Sequence, residues 1–281
     1  MDAVVLALAS AALFGSMTVA LRFALARAPD AEAGTLLTIM VAFAVTLPFV
    51  AAGEIDLPGT WPFLLAGVLG PGGSQLLFTL AVRDAGPSRS SVTVGTAPLV
   101  SVAIALLLLG EPANAGVIGG ALLIVVGGFV LVREPGRPEH VKWIGLGFAF
   151  GAAILIAVRD NLVRKFSLDT QVEPALAVAA TLFAGGLTVA AWLLVTRRRL
   201  PGGGLAAFVP AGLCFGLSYL CLVEAFYRGR VSVVSPLVAS ESLWGVGLSA
   251  LLLRRHELVG PRLFGGAGLV VAGGILIGIF R

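Results

Sequence analysis

Apolar runs about as long as a bilayer is thick follow one another along almost the whole chain. A spanning helix needs roughly 20 mostly apolar residues. Ten such runs stand between charge, Pro and Gly punctuation: 3–26, 33–52, 60–82, 89–109, 114–132, 142–163, 172–196, 205–227, 231–253 and 259–280. The connections between them are too short to hold an extramembrane domain. Of the 281 residues only 12% are charged and 58% are hydrophobic, at a mean hydropathy of +1.02. Soluble domains carry roughly 25% charge, so this surface is not made for water, and disorder needs the reverse composition. The expected fold is all-α and membrane-integral, with ten transmembrane helices. Met1-Asp2 lacks a basic n-region, so the first run is expected to stay as a helix and not to be cleaved as a signal peptide.

The net charge of +4 and pI near 9.7 would suggest nucleic acid in a soluble protein. Here the basic residues lie between apolar runs, where they mark membrane edges, and no nucleic-acid partner is expected. Cys214 and Cys221 share one run; on a helix their Cα atoms lie about 10 Å apart, too far for a disulfide. His140 and His256 fall in charged connections, and no cluster has metal-ligand spacing. No metal and no cofactor are expected.

The chain repeats itself. A shift of 144 residues lays Gly72-Gly73-Ser74-Gln75-Leu76 over Gly216-Leu217-Ser218-Tyr219-Leu220, with Ala81 over Ala225, Ser88 over Ser232 and Ser91 over Ser235. After a two-residue adjustment Glu111 falls on Glu257, Gly119-Gly120 on Gly265-Gly266, and Gly127-Gly128 on Gly273-Gly274. Each half, 1–135 and 141–281, then holds five spans. Five is odd, so the second half is expected upside down relative to the first. That is an inverted repeat around a central cavity, with the substrate near the midplane.

The run VGTAPLVSVAIALLLLGE (Val94 to Glu111) resembles the fourth-helix signature of the EamA-like branch of the drug/metabolite transporter superfamily, with Pro98 inside it and Gly110-Glu111 at its end. Phe14-Gly15-Ser16 resembles that family's first-helix motif. SESLWGVGLSALLLRRHE is similar to its Leu-Glu-Pro run, with Glu241 and Glu257 on matching positions; Ser242 stands where the family usually has Pro, and the spacing to Glu257 is two residues longer. Within the family, size and helix lengths look most like the YddG-type exporters of aromatic and other amino acids. The resemblance implies export of a small solute and cytoplasmic termini.

Glu241 lies near the middle of the ninth run, where an ionised carboxylate is costly and faces a wet or protein interior. It either binds a substrate amine or carries a proton, or it is a hydrogen-bonded group that locks two helices. Pro236 and Pro98 are expected to kink their spans and free carbonyls. Gln75 and Thr79 share a helix face, the repeat pairs Tyr219 with Gln75, and Ser16 and Thr18 add hydroxyls suited to a polar solute. Each Ser or Thr has the competing reading of a bond to its own backbone. Trp244 lies on nearly the same face as Glu241, either to stack on an aromatic substrate or to pack. Arg159-Asp160-Asn161 reads first as an ion pair at the membrane edge and second as a carboxylate clamp; Glu224 near Arg228 also reads as interfacial. The Gly pairs of the fifth and tenth runs are expected to support the scaffold or a dimer contact.

The expected function is therefore secondary transport, export of aromatic or neutral amino acids or related metabolites by alternating access, in the inner or plasma membrane. Nucleoside, sugar or drug carriage stays open, and a channel or scramblase would want a continuous polar stripe that is not evident. No Walker A motif is present. Catalysis is not expected, because no pair of catalytic groups falls within the runs. Two fused halves make a monomer sufficient and leave a dimer open. The termini share a side, but the basic residues, Arg197-Arg198-Arg199 among them, favour the opposite orientation to the one the resemblance implies.

Overall fold

The structure, a computed structural model, describes residues 2–28, 30–85, 93–132, 143–197, 204–252 and 261–280. Ser88, Ser91, His140, His256, Glu257, Arg198, Arg199, the Ser242 side chain and the expected seam between the halves lie outside the described residues.

Every regular element among the described residues is helical. Helix α1 (Ala3–Arg27) starts where the Asp2 carboxylate accepts from the Val4 N–H at 3.2 Å, and α2 (Ala31–Ala51) where Asp30 does the same for Ala33 at 3.0 Å. These caps satisfy N–H groups that a helix start leaves open. The third run begins with a 3₁₀ turn at Pro58–Thr60. It continues as α3 (Trp61–Gly67), a π-helical turn over Val68–Ser74, and α4 (Gln75–Ala85). Then come α5 (Ala97–Leu108), α6 (Ala115–Val132), α7 (Trp143–Asp169) and α8 (Pro174–Val195). The chain closes with α9 (Val209–Arg228), α10 (Val231–Val238), α11 (Glu241–Leu252) and α12 (Pro261–Phe280).

Six described stretches are long and apolar enough to cross a membrane: Ala3–Arg27, Ala31–Ala51, Pro58–Ala81, Trp143–Asp169, Pro174–Val195 and Ala206–Arg228. They coincide with the first three and the sixth to eighth runs. Shorter apolar helices occupy Ala97–Leu108, Ala115–Val130 and Gly268–Ile277.

The fourth and ninth runs are broken. The Thr96 hydroxyl donates to the Thr93 carbonyl at 2.7 Å, and its own carbonyl accepts from Leu99 at 3.0 Å. Ser240 does the same with Leu237 at 2.6 Å and Leu243 at 2.9 Å. Pro98 therefore does not kink the middle of a helix. It sits in the first turn of α5, where its missing N–H has no intrahelical partner to lose. Pro236 is inside α10, two residues before that helix ends.

Close approaches fix the packing. A Cβ at Gly120 would stand 2.7 Å from the Gly273 carbonyl oxygen, one at Gly273 2.5 Å from that of Gly120, and one at Gly127 2.8 Å from that of Gly266. The glycine faces thus bring α6 and α12 into backbone contact within one chain. Ser10 on α1 and Ser218 on α9 each donate to the other's carbonyl, at 3.1 and 2.8 Å. Helix α2 packs on α8 and α9, and α7 on α4 and α5.

Candidate functional site

Helix α7 runs on past its apolar stretch to Asp169. Arg159, Asp160 and Asn161 lie within this helix and are only 5%, 3% and 4% exposed. The ion pair expected for this triad is present, and it is buried within the protein. Arg159 Nε lies 3.0 Å from Asp160 Oδ1, an ion pair off the line of a hydrogen bond, so that Nε and Oδ1 each keep an unmet bond. A guanidinium N–H of Arg159 donates to the Tyr219 hydroxyl on α9 at 2.7 Å. Asp160 Oδ2 accepts from Ser235 on α10 at 2.9 Å and more weakly from Ser101 on α5 at 3.4 Å. The Asn161 amide donates to the Ser101 carbonyl at 3.0 Å. One buried charge pair therefore ties α7 to α5, α9 and α10. Buried ions need such hydrogen bonds to offset their lost hydration.

The π-helical turn makes room for it. A Cβ at Gly70 would lie 2.7 Å from Arg159 Cγ and 3.3 Å from the Tyr219 hydroxyl, so glycine there lets the arginine pass. Turns of this kind recur at functional sites because they redirect side chains within a helix. On the other side of Tyr219, Phe14 and Phe215 pack with ring centroids 6.1 and 4.9 Å away.

Glu241 is the first residue of α11, directly after the break at Ala239-Ser240. Its half-buried carboxylate is within electrostatic reach of Arg159 and has no hydrogen-bond partner among the described residues. Gly15 holds α1 against this point, since a Cβ there would meet Trp244 Cβ at 2.6 Å and the Glu241 carbonyl at 2.8 Å. Trp244 is 45% exposed.

Of the residues expected to bind substrate, Tyr219 and Glu241 thus gather around Arg159. The others are held elsewhere. Ser16 donates to the Ala12 carbonyl at 2.8 Å and Thr18 to Phe14 at 3.0 Å, both within α1. Thr79 donates to the Gln75 carbonyl at 2.8 Å and accepts from Thr35 at 2.9 Å, a scaffold contact between α2 and α4. Gln75 is buried with its amide nitrogen unpartnered among the described residues. Sequence reasoning missed Ser101 and Ser235 as site residues, although Ser101 lies inside the Val94–Glu111 run and the repeat lays Ser91 over Ser235. Glu224 pairs with Arg228 one turn on, at 2.6 Å from its Nε, at a partly exposed helix end.

The EamA-like transporter family model matches the chain twice, over residues 1–133 and 143–279. No curated protein matches it. A solved structure described only as a crystal structure of a protein superposes with a TM-score of 0.80 at 20% identity, covering 99% of this chain and 97% of that one. At that identity the likeness speaks for the fold alone. The two family matches span nearly all of the sequence, and the chain belongs to the EamA-like transporter family, multi-pass membrane proteins that carry small metabolites.

Proposed function

We propose that this protein is a secondary transporter that exports amino acids, aromatic or neutral, or related small metabolites, by alternating access. The observation that carries the reading is the Arg159–Asp160–Tyr219 node. It brings a buried charge pair, hydroxyls and packed aromatic rings together in the protein interior, next to the broken fourth and ninth runs. Discontinuous helices around a midplane polar site are how transporters expose backbone and side-chain groups to a solute.

Ten spans in two inverted halves, 1–135 and 141–281, complete the reading. The breaks at Thr96 and Ser240 are 144 residues apart and make matching hydrogen bonds. The contacts of Gly120 with Gly273 and of Gly127 with Gly266 exchange under the 146-residue shift, as a pseudo-two-fold axis requires. The double family match supports the same division. The protein acts as a carrier and not an enzyme, needs no cofactor, suffices as a monomer and lies in the inner or plasma membrane with cytoplasmic termini, as its family suggests.

The test is uptake by proteoliposomes of labelled Phe, Trp, Met, Thr, Lys and Glu, with and without a pH gradient. Saturable accumulation of the neutral or aromatic members is expected. No accumulation of any member by folded protein overturns the amino-acid reading and turns attention to nucleosides, sugars and drugs.

A further inference from the structure

Three Arg, Asp or Glu side chains meet at the centre of the bundle among the described residues: Arg159, Asp160 and Glu241. Arg159 already faces Asp160 at 3.0 Å and donates to Tyr219, so its charge is matched inside the protein. Asp160 is matched in turn by Arg159 and by the Ser235 hydroxyl. Glu241 has only the shared and more distant Arg159, and its carboxylate accepts no hydrogen bond among the described residues. Among the described residues the elements packed around it bring no other charge to bear: α1 presents Gly15, and Arg159 is the one described charged group acting on it. With all three ionised the centre carries one negative charge too many, in a place where uncompensated charge is expensive.

We propose that this surplus makes the site select the ammonium group of its solute, at Glu241, with the carboxylate of an amino acid dispensable. The inference rests on the transporter reading and narrows its substrate class to protonated amines. A site built for a carboxylate would need an arginine free of an internal partner, since paired guanidinium–carboxylate contacts are strong and directional. Arg159 is not free. Its role is to hold Asp160 and Tyr219 in register, with Phe14 and Phe215 packed on the Tyr219 ring in the buried core.

Three probes separate the possibilities: L-phenylalanine, phenethylamine (ammonium only) and 3-phenylpropionate (carboxylate only). Each is used against uptake of the labelled substrate in proteoliposomes, and as a ligand raising the unfolding temperature of the purified full chain. Phenethylamine is expected to compete within about threefold of phenylalanine, and phenylpropionate at least about tenfold more weakly, the difference one unmatched charge makes. Glu241→Gln should cost the ammonium probes about tenfold or more. Asp160→Asn, which frees Arg159, should bring phenylpropionate up to phenylalanine.

Phenylpropionate binding as well as phenethylamine to the native protein overturns the inference, as does an unchanged ranking in Glu241→Gln. Either result with labelled phenylalanine still accumulating leaves export standing. If no labelled amino acid accumulates, export fails and the unfolding-temperature ranking decides alone. There, a response to pH without any response to phenethylamine means that the surplus charge takes only a proton, which also overturns the inference.

Discussion

Glu111, the acidic end of the fourth-run motif, offers the sharpest energetic test. The chain leaves α5 through Gly110, whose φ of +64° is open to glycine at little cost. This turn aims the Glu111 side chain across the bundle at the start of α10. There Oε1 accepts from the Val231 N–H at 2.8 Å and Oε2 from that of Ser232 at 3.0 Å. Arg230, the residue before α10, makes no side-chain cap of its own, so a residue 120 positions away does the capping. Arg164 holds the other side of the same turn, donating to the carbonyls of Phe226 at 2.7 Å and Tyr227 at 3.2 Å. Hydrogen bonds to a charged group contribute about 1.5–3 kcal/mol, and loss of a helix cap costs about 0.5–2 kcal/mol. The site is only partly buried, so water recovers some of the loss. Glu111→Ala should destabilise by about 2–3 kcal/mol. Glu111→Gln should lose at least half as much, because the amide keeps one acceptor and turns an NH₂ donor towards the second N–H. The assay is reversible unfolding of the full chain in mixed SDS–detergent micelles, followed by far-UV circular dichroism. A Glu111→Gln protein within about 0.5 kcal/mol of the native one, the scatter of ordinary surface changes, would refute the carboxylate cap.

Other perturbations follow from contacts at single atoms. Gly120→Ala and Gly273→Ala each drive a Cβ into a facing carbonyl and should cost about 1–3 kcal/mol in the same unfolding assay. Gly147→Ala, which meets nothing within 4 Å, should be neutral or stabilise by up to about 1 kcal/mol; equal effects at the three positions would sink the close-packing argument. Gly15→Ala must push Trp244 and the start of α11 aside, moving Glu241 with them. Its uptake rate should fall about tenfold, the effect of about 1.4 kcal/mol on the barrier, and a native rate would detach Glu241 from the working site. Tyr219→Phe keeps the ring packing but strands a buried Arg159 N–H, a loss of about 1–3 kcal/mol. Unchanged stability and uptake would show that the hydroxyl is idle.

What the sequence could reveal tracked the range of the physics involved. Helices α1, α2, α8 and α9 end within a few residues of the apolar runs that announce them, because lipid forces each crossing segment to satisfy its own backbone. The glycine spacing in the fifth and tenth runs likewise announced a packing face, and α6 and α12 meet on it. The interruptions were less legible. Prolines suggested where the fourth and ninth runs should bend, but at the turns of Thr96 and Ser240 the hydroxyls reach back three residues, a reach that Thr46 and Ser167 make inside unbroken helices. The third run reads as one helix, and its π-helical turn over Val68–Ser74 follows from Pro71 and from the bulk of Arg159 passing Gly70, a contact between different helices.

The site was half legible for a related reason. Glu241 stood out because a carboxylate inside an apolar run needs a local explanation. Arg159 and Asp160 were read as an edge pair because they lie late in the sixth run, close to Arg164 and Lys165. Helix α7 continues to Asp169, and its last turns are held by Arg164 on the end of α9. Burial is thus a property of the helix and its neighbours, not of the residues counted from an apolar edge. The same logic separates the hydroxyls: Ser16 and Thr18 found carbonyls in their own helix, whereas Ser101 and Ser235 met an anion that only packing could bring to them. A polar residue in a span works at a distance only when a partner from another helix outbids its own backbone, and here Asp160 is that partner.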